Sequence, residues 1–156
     1  MLLLDDAAQA GTIGEMGPAA TALAEACWPG GLTVVVPRRP EVTLPAALTG
    51  GAPTIGLRVP DHDAPRALAR GVGPLPTTSA NVSGLPEARD ATEILAQLGE
   101  EIDLILDGGV AHGGPASTVM ECTGEMPLAL RVGAIPLSRV AAILDAAGVA
   151  HELEVP

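Results

Sequence analysis

Residues 18–37 read PAATALAEACWPGGLTVVVP, and their reading decides the fold. Pro18 is pre-set for a first helical turn, and the alanine-rich run to Cys27 favours a helix. WPGG then stops it. Leu32 to Val36 is a continuous apolar, β-branched run of strand length, which marks a strand buried on both faces. A helix, a glycine turn and a buried strand in direct succession point to a layered α/β architecture.

The same logic extends along the chain. Leu2 to Leu4 is expected to be a short strand, and Thr54 to Val59 (TIGLRV) a second, ended by Pro60. Asp63 is expected to cap a short helix through Arg70. PLPTT, residues 74–78, reads as a short strand running into the polar stretch TTSANVSG. Asp90 and Glu93, three apart, suggest a capping box for a helix to Leu98. Ile102 to Leu106 (IDLIL) reads as another buried strand, closed by Asp107-Gly108-Gly109. STVME and PLALRV read as a hairpin around CTGE. Pro136 to Ala147 reads as a final helix with an apolar stripe at Val140, Ile143, Leu144 and Ala147, stopped by Gly148. The expected organisation is one domain, residues 1–148, and a loosely held tail, 149–156.

Composition narrows the function. The chain has 156 residues, 47% of them hydrophobic, enough for one domain with its own core. No apolar run reaches the ~20 residues that span a bilayer, and MLLL lacks the basic flank of a signal peptide. The reading is a cytoplasmic protein. The net charge is −11, all eight basic residues are arginine, and there is one tryptophan with no phenylalanine or tyrosine. Such a field disfavours direct transfer-RNA or double-stranded RNA binding, and base stacking on aromatic platforms lacks the residues it needs. Cys27 and Cys122 are expected to be reduced and buried, and His62, His112 and His151 stand at no ligand spacing, so the chain alone is not expected to hold a metal.

Polar chemistry concentrates at strand ends, where α/β sheets bind ligands. Thr54 and Arg58 are four apart on one strand and share a face. An arginine in an apolar strand needs an anionic partner, either a protein carboxylate or a bound ligand. Arg131 in LALRVGAIP poses the same question. Thr77, Thr78, Ser79 and Asn81 supply short donors and acceptors, and Gly84 permits close backbone approach; the same residues also favour ordinary turns. HGGPAST, residues 112–118, adds Ser117 and Thr118 after two glycines, but fits neither phosphate-loop pattern. Ser79 lacks a nucleophile elbow and an assignable base, so no catalytic residue is assigned. The residues favour positioning and charge stabilisation over a covalent intermediate.

Together these pieces resemble one family. CWPGGLTVVVP, TIGLRVPDH, TTSANVSGLP, IDLILDGG, STVMECTG and LRVGAI occur in the order and spacing of the YrdC/Sua5/YciO family, from about Leu2 to Ile135. The resemblance implies a twisted mixed α/β sheet with flanking helices around a concave cavity. It implies synthesis of threonylcarbamoyl-AMP from ATP, L-threonine and bicarbonate, with Mg²⁺ carried on ATP. Partner proteins would then transfer the group to position 37 of certain transfer RNAs. By the resemblance, Thr54, Ser79 and Arg131 would hold ATP, with Asn81 supporting the loop. Arg58, Thr77 and Ser117 would hold L-threonine.

The departures are specific. The family's opening P-T-D/E-T-x-Y-G-L strand, Lys-x-Arg and Ser/Thr-x-Lys-Pro motifs have no counterpart, and MLLLDD matches the family segment just past the last of these. The expected fold is therefore N-terminally incomplete. WPGG and LRVG replace W-P-G-P and L-R-P-G, and Glu87 stands where a small hydroxyl residue is common. Two explanations stay open: an N-terminally truncated sequence, or a short paralogue without catalysis. Either implies weak or absent turnover by this chain alone. The alternatives are a non-catalytic nucleotide- or RNA-binding module of the same fold, and a carbamoyl-adenylate domain of the hydrogenase-maturation type.

Overall fold

A computed structural model describes residues 1–111 and 113–153. The chain divides into two compact units, one formed by residues 1–77 and 115 onward, the other by residues 78–114.

In the first unit, β1 (Leu2–Leu3) leads through a short helical turn, α1 (Ala10–Ile13), into α2 (Pro18–Cys27). Pro18 opens α2 at a position whose N–H would be unpaired in any case. Ala20, Leu23, Ala24 and Cys27 are buried along it, one apolar stripe at helical spacing. The chain then turns back, and the Trp28 indole Nε1 donates to the Leu32 carbonyl at 2.8 Å, pinning WPGG to the start of β2 (Leu32–Pro37). A one-turn helix, α3 (Ala46–Thr49), precedes β3 (Thr54–Arg58), which is followed by α4 (Asp63–Val72) and β4 (Leu75–Pro76). The second unit carries α5 (Ala91–Leu98). The first resumes with the hairpin β5 (Thr118–Glu121) and β6 (Leu128–Arg131), then α6 (Leu137–Ala146).

The strands form one six-stranded mixed sheet in the order β4-β1-β3-β2-β5-β6. The β1–β3 and β2–β5 pairs are parallel; β1–β4, β2–β3 and β5–β6 are antiparallel. Leu32, Val34, Val36, Ile55, Leu57 and Met120 cluster with buried residues of α2 and α6, including Leu23, Val140 and Leu144. This is the core. Val149 and Leu153, from the stretch expected to be a loose tail, also pack against it. Among the described residues no helix is long and apolar enough to cross a membrane.

Three local expectations are corrected. Ile102 to Leu106 forms no strand: Leu104 is 74% and Leu106 63% exposed. The segment belongs to the second unit and is no part of the six-stranded sheet. A β-prone run without a partner strand gains none of the pairing that its residues favour. The cap of α4 is His62, not Asp63: His62 has extended backbone and its Nδ1 accepts from the Ala64 N–H at 3.2 Å. Asp63 is then the first helical residue, where its charge complements the helix dipole. The capping arrangement of α5 is also offset. The Asp90 carboxylate accepts from the Glu93 N–H at 2.8 Å, but the Glu93 carboxylate accepts from the Arg89 N–H at 2.9 Å, one residue earlier than a capping box requires.

The exit of β6 is held by a buried hydroxyl. Thr118 Oγ1 donates to the Ile135 carbonyl at 2.6 Å and accepts from the N–H groups of Gly133 at 2.9 Å and Ile135 at 3.0 Å. The chain passes so close here that a Cβ on Gly133 would lie 2.0 Å from the Ala116 carbonyl oxygen. Gly133→Ala must therefore move backbone. The expected loss is of the order of an overpacked core site, about 1–3 kcal/mol, or roughly 2–10 °C in melting temperature. Gly124→Ala is the control, since its nearest neighbour would be an ordinary 4.0 Å away; equal melting of both variants would contradict the close approach. Burial raises the Cys27 thiol, and burial with the nearby Glu121 charge pushes Cys122 up to about 12. Both thiols are thus expected to resist a disulfide reagent at pH 8 in the folded protein and to react when denaturant is added.

Candidate anion-binding site

One end of the sheet gathers the exits of β3 and β6 and the entries of β2 and β5. Glycines at 30 and 31 bring the turn before β2 against this end. The Gly30 N–H donates to the Val59 carbonyl at 2.9 Å, and the Gly30 carbonyl accepts from Arg58 Nε at 2.9 Å. A Cβ on Gly30 would lie 2.4 Å from the Cys27 carbonyl oxygen, so the tight turn demands glycine. Arg58 is thereby aimed by backbone through its Nε.

Arg131 reaches the same face by a change of phase. β6 pairs with β5 through Glu121–Leu128, Met120–Ala129 and Val119–Arg131, leaving Leu130 as an extra residue between the last two pairs. Strict alternation would set Arg131 on the core face with Ala129 and Met120. The bulge shifts it by one and delivers it to the Val119 face. Thr33 pairs with Val119, and Ser117 lies two residues before it, so all three share that face. Arg131 Nε donates to the Ser117 carbonyl at 2.9 Å and its Nη2 to Ser117 Oγ at 3.0 Å. Ser117 Oγ is in turn 3.0 Å from Thr33 Oγ1, and both side chains are buried.

The two guanidinium groups feel each other. Burial, and then the Arg131 charge, lower the Arg58 pKa from its ordinary value. Among the described residues no carboxylate lies within ion-pair distance of either; the ion pairs present use Arg39, Arg70, Arg89 and His151. The protein-carboxylate alternative for these arginines is therefore not what the fold provides. Two cations on a hydroxyl-lined end of a sheet, in a chain of net charge −11, form a local reversal of sign suited to an anion.

Of the other predicted residues, Thr77 follows β4. Its N–H donates to the Met1 carbonyl at 3.2 Å, and its Oγ1 is buried with no partner. Met1 Sδ accepts from Thr33 Oγ1 at 3.4 Å, so Thr77 and Thr33 flank the same residue. Thr54 shares the Arg58 face but stands at the opposite end of β3, on the order of 13 Å along the strand. Ser79 and Asn81 belong to the second unit. There Ser79 is exposed, while Asn81 Nδ2 donates to the carbonyls of Val82 at 3.1 Å and Leu85 at 2.8 Å, closing the loop. Asn81 Oδ1 is buried without a partner. His112, from HGGPAST, lies outside the described residues. Among the described residues no group of three or more His, Cys, Asp or Glu is placed to hold a metal.

Sequence reading missed Thr33 and the Gly30 carbonyl. The available signal was one hydroxyl inside the apolar run LTVVV, directly after two glycines.

Comparison with known proteins bears on the family and the fold. The Sua5/YciO/YrdC family model, described as telomere recombination, matches residues 1–133. A Bacillus subtilis relative named threonylcarbamoyl-AMP synthase is 37% identical over 132 residues, covering 82% of this chain and 38% of its own length. Among solved structures, that of P. abyssi Sua5 complexed with L-threonine superposes with a TM-score of 0.84 at 30% identity, over 97% of this chain and 44% of that one. E. coli YciO superposes at 0.77 with 29% identity, over 89% and 68%. The chain spans from about two fifths to three fifths of the length of its curated relatives. From residue 1 to residue 133, this chain belongs to the Sua5/YciO/YrdC family.

Proposed function

We propose that this chain is a threonylcarbamoyl-AMP synthase module that holds L-threonine and ATP at the arginine-bearing end of its sheet. The observation that carries the reading is the pair Arg58 and Arg131, two guanidinium groups that no carboxylate among the described residues neutralises. Arg58 is half-buried, and a guanidinium left so without a counter-charge is costly to keep; a bound carboxylate or phosphate offsets that cost, and the exposed Arg131 adds its charge beside it. Support comes also from the names of the relatives and from the P. abyssi Sua5 complex with L-threonine.

In this reading Arg58, Thr77 and Ser117 take L-threonine. Among the described residues Arg58 is bonded through Nε alone, which leaves its terminal nitrogens to meet a carboxylate, and the buried Thr77 Oγ1 supplies a further polar contact. Arg131 meets the phosphates of ATP at this end, and Mg²⁺ enters as the ion carried on them. The amine of L-threonine joins bicarbonate with loss of water to give a carbamate. A carbamate oxygen then attacks the α-phosphorus of ATP, and pyrophosphate leaves with the bonding electrons. Charge builds on phosphate and carboxylate oxygens, so the residues act by orientation and electrostatics. The product passes to partner proteins that modify transfer RNA, in the cytoplasm.

Lysine is absent from the sequence, and two arginines are few for a triphosphate bearing about four negative charges. Binding of L-threonine is therefore expected to be firmer than turnover. Isothermal titration of the pure protein with L-threonine, then with ATP, tests binding, and pyrophosphate release tests turnover. Arg58→Gln is expected to weaken L-threonine binding roughly 10–100-fold, the size of lost hydrogen bonds between charged groups, with the melting temperature kept. Unchanged affinity in that variant would contradict the reading. Binding is also expected to weaken from 0.05 to 0.5 M salt, since the Arg131 side of the site is exposed to counter-ions.

A further inference from the structure

We propose that Thr33 is a positioning residue of this site: its hydroxyl donates to Ser117 Oγ, so that Ser117 turns its own proton outward to a bound anionic oxygen. The proposal rests on the reading of the site as a place for L-threonine and ATP, and it names a residue that this reading does not include.

The protons around Ser117 decide the direction of the bond. Among the described residues Ser117 Oγ has two hydrogen-bond neighbours, Arg131 Nη2 and Thr33 Oγ1, each at 3.0 Å. A guanidinium only donates, so Arg131 occupies one lone pair of the serine oxygen. The Thr33 contact can run either way. Were Thr33 the acceptor, the serine proton would be spent inward and a lone pair would face the ligand, repelling an anion. With Thr33 as donor, both lone pairs are filled and the proton is free to point out. Its competing acceptor, Met1 Sδ at 3.4 Å, is a weak one. An anion in the site selects the second arrangement, in which the Ser117 hydroxyl and the remaining Arg131 amine donate together.

The fold keeps this relay fixed. Thr33 lies in the middle of the sheet, its neighbour Leu32 in register with Thr118, and Thr118 ties down the exit of β6 that bears Arg131. Thr33 reaches Arg131 only by way of Ser117, whose Oγ lies 3.0 Å from both, so it is placed to act through Ser117.

Thr33→Val keeps the shape and removes the donor, and Thr33→Ser restores it. In isothermal titration of the full chain, Thr33→Val is expected to weaken L-threonine about tenfold, and Thr33→Ser to stay within about twofold of the wild type. Melting temperatures of all three should lie close together. In a Ser117→Ala background Thr33→Val should add no further loss, which a general packing role would not produce. If Thr33→Val does not fold, Thr33→Ala carries the same comparison. Equal affinity of Thr33→Val and wild type, a Thr33→Ser as weak as the valine variant, or additive losses with Ser117→Ala would each overturn the positioning role alone. A wild type that binds neither L-threonine nor ATP would overturn the reading of the site, and this proposal with it.

Discussion

Two neighbouring guanidinium groups that no carboxylate among the described residues pairs are the constraint around which this end of the sheet is arranged. Each is aimed by neutral groups: Arg58 by the Gly30 carbonyl, Arg131 by the carbonyl and hydroxyl of Ser117. A carboxylate would steady an arginine better, but it would also cancel the charge that an anionic ligand needs. The chain keeps its ion pairs elsewhere, as in Arg70 with Asp5 at 2.7 Å. A chain of net charge −11 thus gathers, at one sheet end, positive charge that no described carboxylate pairs.

Local packing serves that arrangement. The bulge at Leu130 sets the face of Arg131, and the close approach of Gly133 to Ala116 and the bonds to Thr118 hold the chain just beyond it. On the other side of the site, the Trp28 indole and the Gly30 turn fix the approach to β2. The apolar face of the same strands buries Leu32, Val34, Val36, Leu57 and Met120 under helices, which supplies the rigidity a preorganised site requires. One sheet thereby carries the apolar core on one face and the two arginines on the other.

Much of this was legible in the sequence, for identifiable reasons. Pro18, the alanine run and the β-branched LTVVV fixed α2 and β2 because local propensity and burial agree there. Thr54 and Arg58 shared a face by simple alternation. The face of Arg131 was not legible by counting, because a bulge breaks the period and LALRV carries no mark of it. IDLIL was misread because β-propensity says what a segment can pair, not whether a partner strand is present; Leu104 and Leu106 stay exposed. His62 as a cap was hidden by Asp63, the more usual capping residue, one position on. Thr33 passed unnoticed because an apolar run absorbs one hydroxyl without changing its strand character.

Arginine side-chain NMR of the ¹⁵N-labelled protein, titrated with AMP and L-threonine together, tests the paired-guanidinium site most directly. The Nε–H signals of Arg58 and Arg131 are expected to shift together and saturate at one ligand concentration, while that of Arg70, held by Asp5, stays in place. Signals of Arg58 and Arg131 that do not move, or that move no more than that of Arg70, would contradict the account.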